Sequence, residues 1–502
     1  MKHEKSGKYA IPESIRKFKP KGTMVKVLHG HYYVYEMKSI KDKNGKWKIK
    51  MGKMIGYIVE NVGFVSNSKK TSSLTMDTYE YGQYAIAMKS TKNVFLKLLN
   101  VFGMDAINIY CIALIQAVNN YVPIGDIKEY YEQSIISLAF KTAKLGESTV
   151  SKLYEFIGRN EALRNKFFQL NFKENEGKDV AIDGHVIATA ANNELSKYGY
   201  KSRLLKSEMM TLLILYCISS KRPLSSMIVS GDQLDKTSVI NFLSSFSVKN
   251  RLVILDTGFF NKDLFDILKE NGCNFLIPAG DNTLLHKNAI KPSRGQKKSF
   301  LYHKGKGKNA ANVTIEYKEF KEDKNRRCIY YKDLSENAAL DTQYLENLRA
   351  GKAGCTKQGY QEIKINGGVL VLYTDSDRSP EELFLAYKSR WTIETYYDLL
   401  DNRMNFNDLK ISDYYVLQGL SFVINVSMEI MSSINDVCET LNSTRQEVLL
   451  EARRIKVFNE SGTLQLRNMG QKRTITIFTK FGVSTTEPEK WDYTEPATLP
   501  TK

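Results

Sequence analysis

Three acidic residues stand where buried elements would bring carboxylates together. Asp183 follows the apolar range 180–182, Asp256 ends the apolar range 252–255, and Glu394 lies in the middle of a helical pattern. A carboxylate at the end of a buried strand is costly unless it is paired or bound to a metal ion. If the two strands are neighbours, their carboxylates meet at one edge of a sheet, and a packing helix adds the third. For either aspartate alone, a polar residue before a turn is the competing interpretation.

Such a cluster would bind a hard cation. Three carboxylates favour Mg²⁺ or Mn²⁺. Two such ions can activate a water or a 3′-hydroxyl for attack on a phosphodiester, and they stabilise the leaving oxygen. The sequence therefore predicts metal-dependent chemistry on phosphates, with Asp183, Asp256 and Glu394 as the candidate ligands.

Other polar side chains share a helix face with the third acid. Tyr387, Arg390 and Glu394 recur at helical spacing in the helix predicted after a Ser-Pro-Glu-Glu cap. A Tyr and an Arg within two turns of a metal-binding Glu can hold a DNA phosphate. On spacing alone, an Arg390–Glu394 surface ion pair is the simpler interpretation. Trp391 is predicted to pack in the core rather than to contact a base.

These residues lie in the string YKSRWTIETYYDLL, which closely resembles the Y-x2-R-x3-E signature of DDE transposases of bacterial insertion sequences. The strings VAIDGHVIATA and LVILDTGFF resemble the first and second aspartate motifs of that family. The gap before the Glu is about twice the gap between the aspartates. It resembles the gap in members whose ribonuclease-H-like core is split by a β-rich insertion. The resemblance covers residues 178 to 431.

The resemblance implies a Mg²⁺-dependent transposase, with two ions held by Asp183, Asp256 and Glu394 and with Mn²⁺ as a substitute. Water would cleave the phosphodiester at the end of the element, and the freed 3′-hydroxyl would attack target DNA. The resemblance also implies that Tyr387 and Arg390 hold double-stranded DNA at the element's end. A homodimer would hold the paired ends.

The sequence departs from the family pattern at one position. A Lys usually follows the Glu by seven residues, but Asp401 stands here, and Arg403 is the nearest basic residue. Arg403 is therefore the predicted DNA contact near the cut. The departure leaves open a catalytically inactive DNA-binding remnant, and a metal-dependent nuclease of the same fold is a further alternative.

The net charge and the cysteine content indicate which partners and which cellular compartment to expect. The chain of 502 residues carries a net charge of +18. Residues 1–60 hold 15 basic and 5 acidic residues, and residues 287–332 hold 14 basic and 4 acidic ones. Two basic segments favour contact with a polyanion at two places, and solubility charge is the alternative. Six scattered cysteines and a start without an apolar block predict a cytoplasmic protein. The longest apolar run, Met209–Ile218, is too short for a membrane span, and the resemblance to transposases implies that the protein is nucleoid-associated.

The predicted fold is α/β, a ribonuclease-H-like mixed sheet preceded by a β-hairpin and a helical region. The hairpin is predicted from two strand-like segments around Asn44-Gly45. Five segments are expected along the chain: a basic β-rich module (1–67), a helical accessory or DNA-binding domain (68–175), the catalytic core (176–280 and 379–435), a β-rich insertion (281–378), and a C-terminal helix and tail (436–502).

Overall fold

The structure is a computed structural model, and it describes residues 11–28, 30–41, 45–60, 62–66, 78–188, 195–198, 208–231, 240, 243, 249–291, 296–305, 311–323, 325–393, 411–460, 462–467 and 470–491. The chain divides into two compact units. The first consists of Met1–Asp77 with Asn459–Ser461, and the second of Thr78–Phe458 with Gly462–Lys502. The predicted boundary after residue 67 falls in a range outside the described residues.

The first unit is a four-stranded antiparallel sheet with one short helix. Its elements are α1 (Glu13–Arg16), β1 (Thr23–Leu28), β2 (His31–Lys41), β3 (Trp47–Val59) and β4 (Gly63–Ser66), and the strands lie in chain order across the sheet. Ile15, Val34 and Ile58 form its small core. β2 and β3 pair antiparallel, as the hairpin pattern predicts. Gly45 takes φ 77° just before β3, a left-handed conformation that favours glycine.

The second unit begins with one strand and a series of helices, as the apolar periodicity of residues 84–170 predicts. The elements are β5 (Thr78–Glu80), α2 (Gly82–Ser90), α3 (Lys92–Phe102), α4 (Asp105–Asn119), α5 (Ile127–Glu132), α6 (Ile136–Ala139), α7 (Glu147–Arg159) and α8 (Glu161–Glu174). α4 is buried along almost its whole length, so these helices build their own part of the main core.

A large mixed sheet follows. Its strands are β6 (Val180–Ala188), β7 (Met209–Cys217), β8 (Arg222–Ser230), β9 (Leu252–Leu255), β10 (Asn274–Pro278), β11 (Lys298–Lys304), β12 (Ala311–Lys321), β13 (Arg327–Asp333) and β14 (Val369–Thr374). The order across the sheet is β11-β12-β13-β14-β10-β9-β6-β7-β8. β6, β9 and β10 run parallel, and the other neighbouring pairs are antiparallel. The sheet agrees with the predicted α/β class.

The predicted insertion continues this sheet. β14 pairs with β10, so the four strands from β11 to β14 extend the sheet that carries β6 and β9. The segment is also less β-rich than its sequence suggests. Helix α9 (Lys262–Glu270) precedes the segment, and α10 (Leu284–Ala289) lies at its start. Two further helices, α11 (Leu334–Arg349) and α12 (Lys357–Asn366), lie between β13 and β14 in sequence.

The C-terminal part of the second unit contains more structure than a helix and a tail. Its elements are α13 (Pro380–Ser389), a 3₁₀ helix (Arg390–Ile393), α14 (Tyr414–Thr440), α15 (Arg445–Ala452), β15 (Lys456–Glu460), β16 (Thr463–Arg467) and α16 (Lys472–Phe481). β15 pairs with β5 at the other end of the chain. Short strands of this kind pair over long sequence distances, so local patterns do not reveal them.

The helix α14 has the length and the apolar composition of a membrane-spanning helix, but its most apolar stretch is entirely buried inside the protein. It packs against α4, α7 and β8. A helix that is apolar on all sides is typical of the centre of a large core, and α14 fills this place in the second unit.

The crossing of α7 and α14 requires glycine on both helices. A Cβ on Gly158 would lie 1.8 Å from the carbonyl oxygen of Tyr415, and one on Gly419 would lie 1.9 Å from that of Tyr154. We expect Gly419→Ala to force the helices apart and to lower the free energy of unfolding by about 1–3 kcal/mol or more, the usual cost of overpacking. Chemical denaturation measures this. Gly125→Ala is the control, because its Cβ would meet no heavy atom within 4 Å. Equal losses in the two variants would contradict the steric explanation.

Candidate active site

Two of the three predicted acids are brought together by the register of neighbouring strands. β6 and β9 run parallel, and Ile182 opposite Leu255 is the last pair before the acids. Asp183 and Asp256 take the next position on each strand, and Asp256 keeps an extended backbone with φ −82° and ψ 160°. Matched positions on parallel strands point to the same face, and adjacent strands lie about 4.8 Å apart. The two carboxylates are therefore neighbours on one face of the sheet.

Local structure holds each acid in this place. The four residues of β9 are all buried, as expected for a strand covered on both faces. The strand ends at Leu255, and the carbonyl oxygen of Asp256, the next residue, accepts a hydrogen bond from the amide of Phe259 at 3.0 Å. Asp183 accepts one from the amide of Gly184 at 2.8 Å through Oδ1. Both acids remain partly exposed, so a ligand can reach them from solvent.

Arg390 reaches the first acid. Its Nη1 donates to Oδ2 of Asp183 at 3.1 Å, and only 14% and 15% of the two side chains are exposed. The guanidinium also lies 5.7 Å from the ring centroid of Tyr387, which packs against the main core. The structure gives Arg390 a partner across the fold. The alternative pair with Glu394 involves a residue outside the described ranges. In this arrangement Arg390 offsets the negative charge of Asp183.

A second ion pair positions these elements, and no sequence pattern predicts it. Arg378, just before α13, donates to both carboxylate oxygens of Asp179, with a distance of 2.7 Å from Nη2 to Oδ1. The hydrogen bond to Asp179 raises the pKa of Arg378 above its usual value. Asp179 also accepts from the amide of Leu252 at 3.4 Å. One carboxylate thus ties together the starts of β6, β9 and α13, the three elements that carry the candidate site.

The third acid and the predicted substitute cation cannot be placed. Glu394, Asp401 and Arg403 lie outside the residues that the structure describes. Ile393, immediately before Glu394, is fully buried in the main core. The chain is therefore anchored directly before the predicted metal ligand.

The prediction that Trp391 packs in the core is wrong. Its side chain is 68% exposed. The sequence predicts one continuous helix here, but α13 ends at Ser389 and a 3₁₀ helix follows. Because a 3₁₀ helix has three residues per turn instead of 3.6, the buried position shifts to Ile393.

The acids that the structure places suit a hard metal ion. Two carboxylates side by side and partly exposed are the donors that Mg²⁺ and Mn²⁺ prefer. Within the described ranges no group of three His, Cys, Asp or Glu residues is arranged to hold a metal ion. The predicted third ligand, Glu394, is not in those ranges. Asp183 and Asp256 are thus two of the three predicted ligands, and their position suits a metal ion.

A cavity of about 400 Å³ lies at the other end of the parallel strands. Its lining includes Lys269, Arg326, Arg327 and Asp375. It adjoins the start of β10, whereas Asp256 follows the end of β9, and these strands run parallel. Burial raises the pKa of Asp375, whose carboxylate accepts from the amide of Phe275 at 2.9 Å and so holds the strand end. The cavity is therefore separate from the candidate active site.

Comparison with known proteins assigns the central part of the chain to a family. Residues 174–419 match the family described as Transposase DDE domain, and this range contains all the predicted site residues. No curated protein matches the sequence. The cryo-EM structure of a piggyBac transposase synaptic complex with hairpin DNA is similar, with 10% identity, a TM-score of 0.39, and coverage of 75% of this chain and 80% of that chain. The resemblance drawn from the three motifs is confirmed by this family match over residues 174–419.

Proposed function

We propose that the protein is a metal-dependent transposase of an insertion sequence, which cuts DNA at the ends of its element and joins them to target DNA. One observation carries the proposal. Asp183 and Asp256, the two aspartates of the motifs, directly follow the paired residues Ile182 and Leu255 of adjacent parallel strands, within the range that matches the transposase DDE domain. Mg²⁺ is usually held by one or two carboxylates together with substrate phosphates, and such ions assist phosphoryl transfer.

The residues take distinct roles in this proposal. Asp183, Asp256 and Glu394 would hold Mg²⁺, or Mn²⁺ in its place, as a pair of ions. The bound metal would supply positive charge that stabilises the transition state and favours deprotonation of the attacking oxygen. Arg390 and Tyr387 would contact the phosphates of the element's end. Arg403 would provide the cation that the family pattern places two positions earlier.

The reaction would proceed in two displacements. In the first, the oxygen of water forms a bond to the scissile phosphorus, and the P–O3′ bond breaks to leave a 3′-hydroxyl. In the second, that 3′-hydroxyl attacks a phosphodiester of the target, a new P–O3′ bond forms, and the target releases its own 3′-hydroxyl. Each step exchanges one ester or hydroxyl oxygen for another, so no reductant, oxidant or nucleotide is consumed.

The partner in this proposal is double-stranded DNA, both element end and target, and a homodimer would hold two ends at once. The basic segments 1–60 and 287–332 support it, because each combines a high positive charge with few acidic residues. Such segments raise the affinity for phosphates without reading sequence. A DNA-acting protein of this kind would work in the cytoplasm at the nucleoid.

The proposal is tested with the full-length protein and a supercoiled plasmid that carries the DNA flanking the gene. Cuts at defined positions at both element ends, dependent on Mg²⁺ and abolished by a chelator, are the expected result. Cuts scattered over the plasmid would instead identify a nuclease. Binding without cutting, in Mg²⁺ and in Mn²⁺, would identify an inactive remnant and direct attention to Asp401.

A further inference from the structure

The hairpin of the first unit extends beyond its sheet. β1 pairs with β2 only as far as Glu36, and β4 pairs with β3 only from Gly56 onwards. Between these limits, residues 38–41 pair with residues 47–50, strand against strand. We call these two segments the ribbon. All of its residues are exposed, so among the described residues it is a two-stranded element with both faces open.

The ribbon has two chemically different faces. Directly opposite residues in an antiparallel pair share a face, and successive pairs alternate between faces. One face carries Lys38 opposite Lys50, and Lys48 opposite Ile40. This is the cationic face. Three lysines within two cross-strand pairs make a compact positive charge on a surface only two strands wide.

The other face is apolar. It carries Trp47 opposite Lys41, and Ile49 opposite Ser39. Trp47 is 68% exposed and Ile49 is 63% exposed. The ammonium of Lys41 lies 5.2 Å from the ring centroid of Trp47. We call this side of the ribbon the apolar face.

The solvent-exposed ribbon is costly on three counts. Two-stranded hairpins are marginally stable in water, and like charges placed directly opposite, as Lys38 and Lys50 are, destabilise a strand pair. Large apolar side chains that stay exposed to water do not contribute the free energy that their burial would provide. A partner that carries phosphates beside apolar groups offsets these costs, because the phosphates neutralise the lysines while thymine methyl groups on the floor of a groove contact Trp47 and Ile49. Duplex DNA has this chemistry.

We propose that the ribbon is a DNA-binding arm that lies in the major groove, a groove wide enough to admit a two-stranded β-ribbon. The apolar face lies towards the base edges, and the long stems of Lys38, Lys48 and Lys50 reach the phosphates of the groove walls. The proposal deepens the proposed function, on which it rests, by naming the element of the basic N-terminal segment that binds the DNA.

The test measures the affinity of the full-length protein for two duplexes, one with the gene's flanking DNA and one unrelated, between about 50 and 200 mM salt. The slope of log K against log salt is negative, and every phosphate that the protein no longer neutralises lowers the magnitude of this slope by about 0.9. The triple variant Lys38→Gln, Lys48→Gln, Lys50→Gln is therefore expected to reduce the slope by about 2 to 3 on both duplexes. Its affinity at low salt should fall by about tenfold or more.

A matched triple variant separates local binding from net charge. Lys128→Gln, Lys352→Gln, Lys357→Gln removes the same charge from exposed positions of the second unit, and we expect it to change the slope by less than about 1. Equal slope changes in the two triple variants, or an unchanged slope in the ribbon variant, would overturn the proposal. Circular dichroism and thermal unfolding serve to check that both variants remain folded.

Trp47→Ala tests the apolar face. It is expected to weaken binding to both duplexes and to remove the protection of guanine N7 from dimethyl sulfate, since N7 lies in the major groove. If the variant instead binds DNA normally but shifts from dimer to monomer without DNA, the apolar face contacts a second copy of the chain, and the proposal fails. Failure of wild-type protein to cut DNA would refute the proposed function and leave these binding results unchanged.

Discussion

Replacing either Asp183 or Asp256 by asparagine is expected to reduce the rate of end cleavage by about a thousandfold or more. The amide keeps the size of the side chain but removes one of two negative charges that the strand register places side by side. Metal-assisted stabilisation of phosphoryl transfer is worth several kcal/mol, and each 1.36 kcal/mol is a factor of ten in rate. Single-turnover cleavage of the plasmid, followed on gels, measures the loss.

The control for this prediction is Asp263→Asn. Asp263 is an exposed acid in the first turn of α9, close to Asp256 in sequence but outside the paired strands, and we expect cleavage at the wild-type rate. Glu394→Gln should behave like the two aspartate variants if Glu394 completes the ligand set. Cleavage within about tenfold of wild type by both aspartate variants would place the catalytic groups elsewhere.

Replacing Arg390 by glutamine is expected to have opposite effects on two measurements. The guanidinium holds Oδ2 of Asp183, so it competes with a cation for that carboxylate. Without it, the DNA-free protein should bind Mn²⁺ more tightly, as measured by calorimetry. Cleavage should fall by about 10- to 100-fold, because a charged hydrogen bond to a phosphate is worth about 1.5–3 kcal/mol.

Two further variants sharpen this result. Arg390→Lys keeps the charge but loses the planar pair of donors, so it should restore wild-type ion binding better than cleavage. Lys388→Gln removes an exposed cation two residues away and should change neither measurement. Weaker Mn²⁺ binding by Arg390→Gln than by wild type would show that Arg390 supports the ion site rather than competing with it.

Elements with signals in adjacent residues could be predicted from the sequence. The side chain of Asn261 accepts from the amide of Asp263 at 2.9 Å and starts α9, and Ser379 and Glu382 form the predicted capping box of α13. Such caps involve residues two or three positions apart. The apolar runs that become β6, β7 and β9 are equally local, which is why the aspartates could be assigned to strands.

Pairings between distant segments could not be predicted. Arg390 and Asp183 are 207 residues apart, and nothing near either residue indicates the partner. The same is true of Arg378 with Asp179, 199 residues apart. Good local strand patterns in segment 281–378 favour a separate insertion, but which edge a strand joins depends on tertiary contacts. The exposure of Trp391 likewise depends on the point at which the α-helix α13 ends and the 3₁₀ helix begins.

The position of α14 has a consequence for dissecting the protein. The match to the transposase family ends at residue 419, within the first turns of a helix that continues to Thr440. That helix packs against α4, α7 and β8, so it contacts both the helices before the family domain and the sheet within it. The segment recognised by homology therefore does not coincide with the compact second unit, Thr78–Phe458 with Gly462–Lys502. A fragment trimmed to residues 174–419 would lose most of α14, whereas a fragment of residues 78–458 would keep the whole helix.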